Sequence, residues 1–163
     1  MIFVTLGNHP QPFYRLLKKV DQLAEDKVVD DVFVQVGYSD YQPKYCTYKK
    51  FVGFNKFIDL IKKSDLVISH AGAGTIQNVL LCGKPIIVVP RLKKYGEHIN
   101  DHQLEITGAM EAENKVIAVY DVEKIAEAIT KAGILNPMKL NISHGIAELI
   151  EDYLEKMRIS SKG

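Results

Sequence analysis

The chain has 163 residues, the size of one domain, and is long enough to hold a core without disulfides or a structural metal. Hydrophobic residues make up 47% and charged residues 25%, globular averages that exclude a disordered, collagenous or coiled-coil chain. Twenty-one Lys and Arg against 20 Asp and Glu leave a net charge of +1, too little for bulk-electrostatic binding of nucleic acid.

The opening Met1-Ile2-Phe3-Val4-Thr5 enters a strand at once and lacks the basic start and cleavage site of a signal peptide. Ile2–Leu6 is an apolar run ending at Gly7, and Phe13, Leu16, Leu17, Val20 and Leu23 then recur at helical spacing. Val32–Val36 predicts a second strand. Tyr38–Tyr48 is a polar loop whose four tyrosines, Tyr38, Tyr41, Tyr45 and Tyr48, either line a cleft or interface or pack without function. Lys50–Phe54 reads as a short strand, and Asn55 as the cap of a helix carrying Phe57, Ile58 and Ile61. Leu66–Ser69 is of strand length and Thr75–Leu81 predicts a helix. Leu66–Gly83 is free of charge, but its histidine, amides and glycines fit a buried strand, turn and helix better than a membrane span. Gly83-Lys84-Pro85 breaks the chain before the strongest β signal, Ile86–Val89. A basic loop, Pro90–Asn100, a helix, Asp101–Ala112, and a last strand, Val116–Val119, follow. Asp121 can cap a helix carrying Val122, Ile125, Ala126 and Ile129. An amphipathic helix is predicted at about 143–158, with Ile146, Leu149, Ile150, Tyr153, Leu154 and Met157 on one side.

Short apolar strands alternating with helices predict an α/β fold over 1–163: a mostly parallel, Rossmann-like sheet with helices on both faces. Ligands of such sheets bind beyond the carboxyl ends of the strands. The candidate loops are therefore Gly7–Gln11, Gly37–Tyr48, His70–Thr75 and Pro90–Gln103. Cys46 and Cys82 form neither a disulfide framework nor a C-x-x-C, which with the missing signal peptide points to the cytoplasm.

The sharpest local signal is Ser69-His70-Ala71-Gly72-Ala73-Gly74-Thr75, between a strand and a helix. Small residues admit a ligand to the backbone, and the free N–H groups of a helix start favour an anion such as phosphate. The same residues also suit a plain tight turn. The loop running from Pro90 to Gln103 offers cations and hydrogen-bonding side chains that suit a polyhydroxylated, phosphate-bearing ligand; the other reading is a solvated loop with Asp101 as helix cap. The basic stretch Gln42–Lys63 either attracts a nucleotide sugar or anionic lipid or is a solvated face. His98 and His102 are four apart across a loop–helix junction, no H-E-x-x-H occurs, and no metal is assigned.

Taken together and in order, Ser69–Thr75, Gly83-Lys84-Pro85-Ile86-Ile87-Val88-Val89-Pro90 and Asn100-Asp101-His102-Gln103 resemble the donor-binding half of GT-B glycosyltransferases, specifically the glycosyltransferase family 28 C-terminal domain. Within it the resemblance is to stand-alone soluble subunits making exopolysaccharide or capsule, and to the eukaryotic subunit acting on dolichol diphosphate. The resemblance implies that His70, Gly72, Ala73, Gly74 and Thr75 pack against a donor diphosphate, with Arg91 a nearby cation. It implies that His102 and Gln103 read sugar hydroxyls, and that the segment with Phe51 and Phe54 contacts uracil. Gly7, Asn8 and His9 would face the interdomain cleft, with His9 and His70 the candidate catalytic residues. Asn78 stands where relatives often carry Glu or Asp for the ribose; an amide has less acceptor capacity.

The implied activity is a hexosyltransferase, inverting and free of cofactors. It would take a UDP-sugar and a lipid-diphosphate-linked acceptor at the cytoplasmic face of a membrane. A membrane-anchored partner subunit would supply the N-terminal GT-B half, recruited in part by the 143–158 helix. The alternative is a non-enzymatic nucleotide-binding or regulatory module.

Overall fold

The computed structural model describes residues 1–134, so the helix expected at 143–158 lies outside the described residues. Six strands, β1 (Ile2–Thr5), β2 (Val32–Gln35), β3 (Thr47–Lys49), β4 (Leu66–His70), β5 (Ile86–Val89) and β6 (Ile117–Ala118), form one sheet in the order β3-β2-β1-β4-β5-β6. Every pairing is parallel. Five helices, α1 (Tyr14–Glu25), α2 (Phe54–Lys63), α3 (Ala73–Leu81), α4 (His102–Ala112) and α5 (Ile125–Ile134), connect and cover it.

Alternation along each strand sorts the core into two layers. Val4, Val34, Ile68 and Ile87 pack with Leu16, Leu17 and Val20 of α1 and Ile125 of α5. Phe3, Val67, Ile86 and Val88 face the other way, onto Leu60 and Ile61 of α2, Ile76 and Val79 of α3, and Ile106 of α4. Strands buried on both faces must be apolar throughout, which is why they read as continuous runs. Each fully buried aliphatic side chain contributes about 1.5–3 kcal/mol.

Three boundaries differ from expectation. The third strand is Thr47–Lys49, not Lys50–Phe54. It is the sheet edge, with exposed Thr47 and Lys49 flanking a half-buried Tyr48, so it carries little hydrophobic signal. α2 is capped by Gly53, not Asn55, and Phe57 N–H donates to Gly53 O at 2.9 Å. α3 begins at Ala73 with Gly72 as N-cap, which places Gly74 inside the first turn. Asp121 does cap, accepting the Glu123 N–H at 3.1 Å, but on a short 3-10 turn that leads into α5.

The tyrosine-rich loop is held by one buried carboxylate. Asp21 of α1 accepts Tyr41 OH at 2.7 Å and the backbone N–H groups of Lys44 and Tyr45. Tyr45 OH donates to Glu25 at 2.7 Å. These phenols fasten the loop to α1, and the hydrogen bond to Asp21, with burial second, raises the Tyr41 hydroxyl to about 12.

The strand order reverses between β1 and β4. The chain leaves β1 toward α1 on one face and leaves β4 toward α3 on the other, so a crevice opens between their carboxyl ends.

Candidate functional site

That crevice is a cleft of about 390 Å³. Gly7 and Asn8 enter it from the exit of β1, and Phe54 from the start of α2. His70, Gly72, Gly74, Thr75 and Asn78 enter it from β4 and α3. Val52 enters it from the expected Phe51–Phe54 segment, and Thr5, Gln35 and Phe57, which were not anticipated, complete the lining. Gln35 and Thr5 carry a legible signal: each is a polar residue closing an otherwise apolar parallel strand, where side chains reach the crevice. Hollows of about 440 and 510 Å³ lie against the edge strand β6 and at the amino end of β2, away from the carboxyl-end crevice.

His70 is buried at the floor of the cleft, seated between two glycines. A Cβ on Gly7, whose φ is +73°, would lie 2.4 Å from His70 Cε1. Gly72 is equally crowded by the ring, whereas Gly74 has nothing within 4 Å of its Cβ position. Two of the three glycines therefore make room for the histidine, and Gly74 alone leaves open space for a ligand. Burial, with Arg91 second, lowers His70 to about 3, against a hydrogen bond to the Thr5 backbone that favours its charged form. The imidazole is neutral at physiological pH and contributes neither a cation nor a proton.

His9 does not line the cleft. Its ring stacks on His98 with centroids 4.5 Å apart, and its Nδ1 accepts the Gln11 N–H at 3.3 Å. Burial first, then His98 and Arg91, lowers its pKa. With Nδ1 occupied, the ring hydrogen sits on Nε2, a donor and not a base.

Arg91 holds loops together, and its charge is not presented to the cleft. It is 1% exposed and lies 4.8 Å over the Phe13 ring. Its guanidinium donates to Leu6 O at 2.6 Å, Gln11 O at 2.7 Å and Glu97 O at 3.0 Å. Burial lowers it to about 10, still protonated at neutral pH. Glu97, also buried, takes a forked pair from Arg15 at 2.9 and 3.0 Å and the Leu92 N–H at 3.0 Å. The loop after β5, expected to be solvated or cationic, is thus anchored by a buried arginine and a buried glutamate. Asp101 Oδ1 accepts the Lys93 N–H at 2.8 Å and makes no side-chain cap on α4.

Gln103, at the start of α4, ties the two key loops together. Its Oε1 accepts the Ala71 N–H at 3.2 Å and the Arg91 N–H at 2.9 Å, leaving its NH2 as the end able to meet a ligand. His102 Nδ1 lies 3.6 Å from Glu105 Oε1. Asn78 Nδ2 donates to Gly74 O at 2.7 Å, which leaves Oδ1 as its acceptor. Ala73 opens α3 and packs on the core. Phe54 is 67% exposed at the cleft rim, while Phe51 stands outside, edge-on to Tyr38 at 5.0 Å. Among the described residues no three His, Cys, Asp or Glu side chains gather to hold a metal.

The family model of the glycosyltransferase family 28 C-terminal domain matches residues 1–149. The chain belongs to this family. Among curated relatives, the human "UDP-N-acetylglucosamine transferase subunit ALG13" is 32% identical over 102 residues, 60% of this chain and 8% of that protein. A "UDP-N-acetylglucosamine--N-acetylmuramyl-(pentapeptide) pyrophosphoryl-undecaprenol N-acetylglucosamine transferase" of Prochlorococcus marinus is 28% identical over 134 residues, 78% of this chain and 35% of that protein. The chain thus spans about a third or less of these two relatives. Among solved structures, the glycotransferase of kitacinnamycin superposes with a TM-score of 0.66 at 15% identity, over 93% of this chain and 39% of that one. Acinetobacter baumannii MurG gives 0.53 at 16% identity, over 98% of this chain and 49% of that one. These likenesses establish the GT-B type of Rossmann-like fold. No described helix is long and apolar enough to cross a membrane.

Proposed function

We propose that this family 28 chain is the donor-binding subunit of a glycosyltransferase. It would carry a sugar from a UDP-sugar to an acceptor on a lipid diphosphate, acting with a membrane-anchored subunit that supplies the acceptor-binding half. The observation that carries the reading is the open space at Gly74, in the first turn of α3, at the crevice where the strand order reverses. The names of the relatives support it, since both specify UDP-N-acetylglucosamine or N-acetylglucosamine transfer and one specifies a lipid pyrophosphate. The printed name of the human relative, a transferase subunit, supports the partner.

In this mechanism the N–H groups and dipole of α3 receive the donor diphosphate and stabilise the charge that develops on departing UDP. Asn78 Oδ1 accepts from the ribose, and Gln103 NH2 donates to a sugar hydroxyl. The acceptor hydroxyl attacks the anomeric carbon from the opposite side, with inversion. His70 is buried and, lowered to about 3, too weak a base, and His9 presents Nε2–H, so in this reading the base comes from the partner. The protein would work at the cytoplasmic face of the membrane through that partner.

The test is calorimetry of the purified chain with UDP and UDP-N-acetylglucosamine, then a transfer assay with and without a candidate membrane-anchored subunit. Binding alone and transfer only with the partner is the expected result. Donor binding with no transfer in either case would instead make the chain a nucleotide-binding module.

A further inference from the structure

One polar group in the cleft has no function in the donor reading. Gln35 ends β2 and is 4% exposed. Its Nε2 donates to Asn8 Oδ1 at 3.0 Å, while its Oε1 is buried and meets no donor among the described residues. A sealed amide oxygen without a donor is costly, and such an atom in a cleft marks a place where a ligand completes the hydrogen bonding.

The chemistry of the missing group follows from its neighbours. Thr5 Oγ1 already accepts the Gly7 N–H at 3.3 Å, and His70 beside it is neutral. This end of the cleft therefore offers an acceptor and no cation. A phosphate oxygen, itself only an acceptor, would be repelled; a hydroxyl or an amide N–H would be held.

Topology says which end of the ligand brings that donor. Gln103 is fastened to the exits of β4 and β5. Gln35 lies on the opposite side of the α3 cradle, at β2, two strand spacings or about 10 Å from β4. Val52, Phe54 and Phe57 line the cleft with it, an apolar wall for a flat ring. With the sugar at Gln103 and the diphosphate at Gly74, the part of the donor left for this side is the nucleoside.

We infer that Gln35 reads the nucleoside: its side-chain oxygen accepts a hydrogen bond from a neutral donor there, a base N–H or a ribose O–H. The inference rests on the donor reading above.

The test is calorimetry of the wild-type chain and Gln35→Met with four ligands: UDP, UDP methylated at base N3, 2′-deoxy-UDP and UDP-N-acetylglucosamine. Gln35→Met keeps the volume and removes the acceptor. It should lose about tenfold for UDP and the same factor for the UDP-sugar. One of the two altered nucleotides should bind the wild type about tenfold more weakly than UDP, yet match UDP on Gln35→Met; which one it is separates base from ribose. Gln35→Leu, another apolar side chain of similar volume, should show the same loss of discrimination and serves if the Met variant does not fold. Indifference of the wild type to both alterations, or a loss confined to the UDP-sugar, overturns the inference while leaving the donor reading intact. A wild-type chain that binds no UDP overturns the donor reading and this inference with it.

Discussion

His70 Nε2 lies 2.3 Å from the place where a Cβ on Gly72 would stand. The histidine and the glycine that caps α3 are thus one packing unit, two residues apart in the chain. The ring forms the floor of the cleft and the glycine is the step over it. The geometry of the helix start depends on this fit.

Gly72→Ala should therefore destabilise the chain by about 1–3 kcal/mol, the usual cost of forcing a methyl into a packed site. His70→Ala in the same chain should recover part of that loss, because the clash needs both partners. Urea denaturation of the two single variants and the double variant measures the coupling. Strict additivity would show that the ring and the cap do not constrain each other.

Gly74→Asp makes the opposite test at a neighbouring position. Its Cβ has open space, and an acidic side chain in the first turn of a helix is favourable, so the fold should be unchanged. UDP affinity should fall by more than about tenfold, since a carboxylate then occupies the proposed anion site. A folded Gly74→Asp chain that binds UDP as before would remove the diphosphate from α3.

Gln103 has two ends with two uses, and two substitutions separate them. Gln103→Glu keeps an oxygen for the Ala71 and Arg91 N–H groups and removes the NH2. It should keep stability and weaken the UDP-sugar more than UDP, by about 0.5–1.5 kcal/mol. Gln103→Ala strands two buried N–H groups and should lower stability and UDP affinity as well. Denaturation midpoints and calorimetry distinguish the pair; equal behaviour of the two variants would deny the clip.

His70 also sets a pH dependence. Its folded pKa of about 3 lies below the unfolded value of 6.5, so the unfolded chain binds the extra proton first as pH falls. Stability is complete above pH 6.5 and declines as pH falls from 6.5 toward 3. By pH 5 the loss from this residue is about 2 kcal/mol. His70→Gln should flatten that part of the stability–pH curve. An unchanged slope would show that the ring protonates in the folded state.

The first, second, fourth and fifth strands, and the helices that follow the first, fourth and fifth, were legible within a few residues, because burial on both faces demands continuous apolar strands. The edge strand at Thr47–Lys49 was not, because one covered side needs only Tyr48. In the site, the loops after β1 and β4 followed from the carboxyl-end rule. Gln35 did not, although a lone glutamine after Val-Phe-Val was visible. Arg91 was misplaced for a reason local pattern cannot supply. Its partners are carbonyls at Leu6 and Gln11, about eighty residues earlier, and nothing in Pro90-Arg91-Leu92 announces them.

The sequence by itself determined the α/β class, the parallel sheet, the crevice and the family, since these follow from apolar periodicity and from residues adjacent in the chain. Only the tertiary structure decided what each polar side chain does. Gly7 and Gly72 yield to His70, Arg91 is buried, Gln103 spends its oxygen on the backbone and Gln35 keeps one free. The reason is physical: a buried donor or acceptor must be matched by whatever the fold brings within about 3 Å, and that partner is set by packing across the chain and not by neighbours along it.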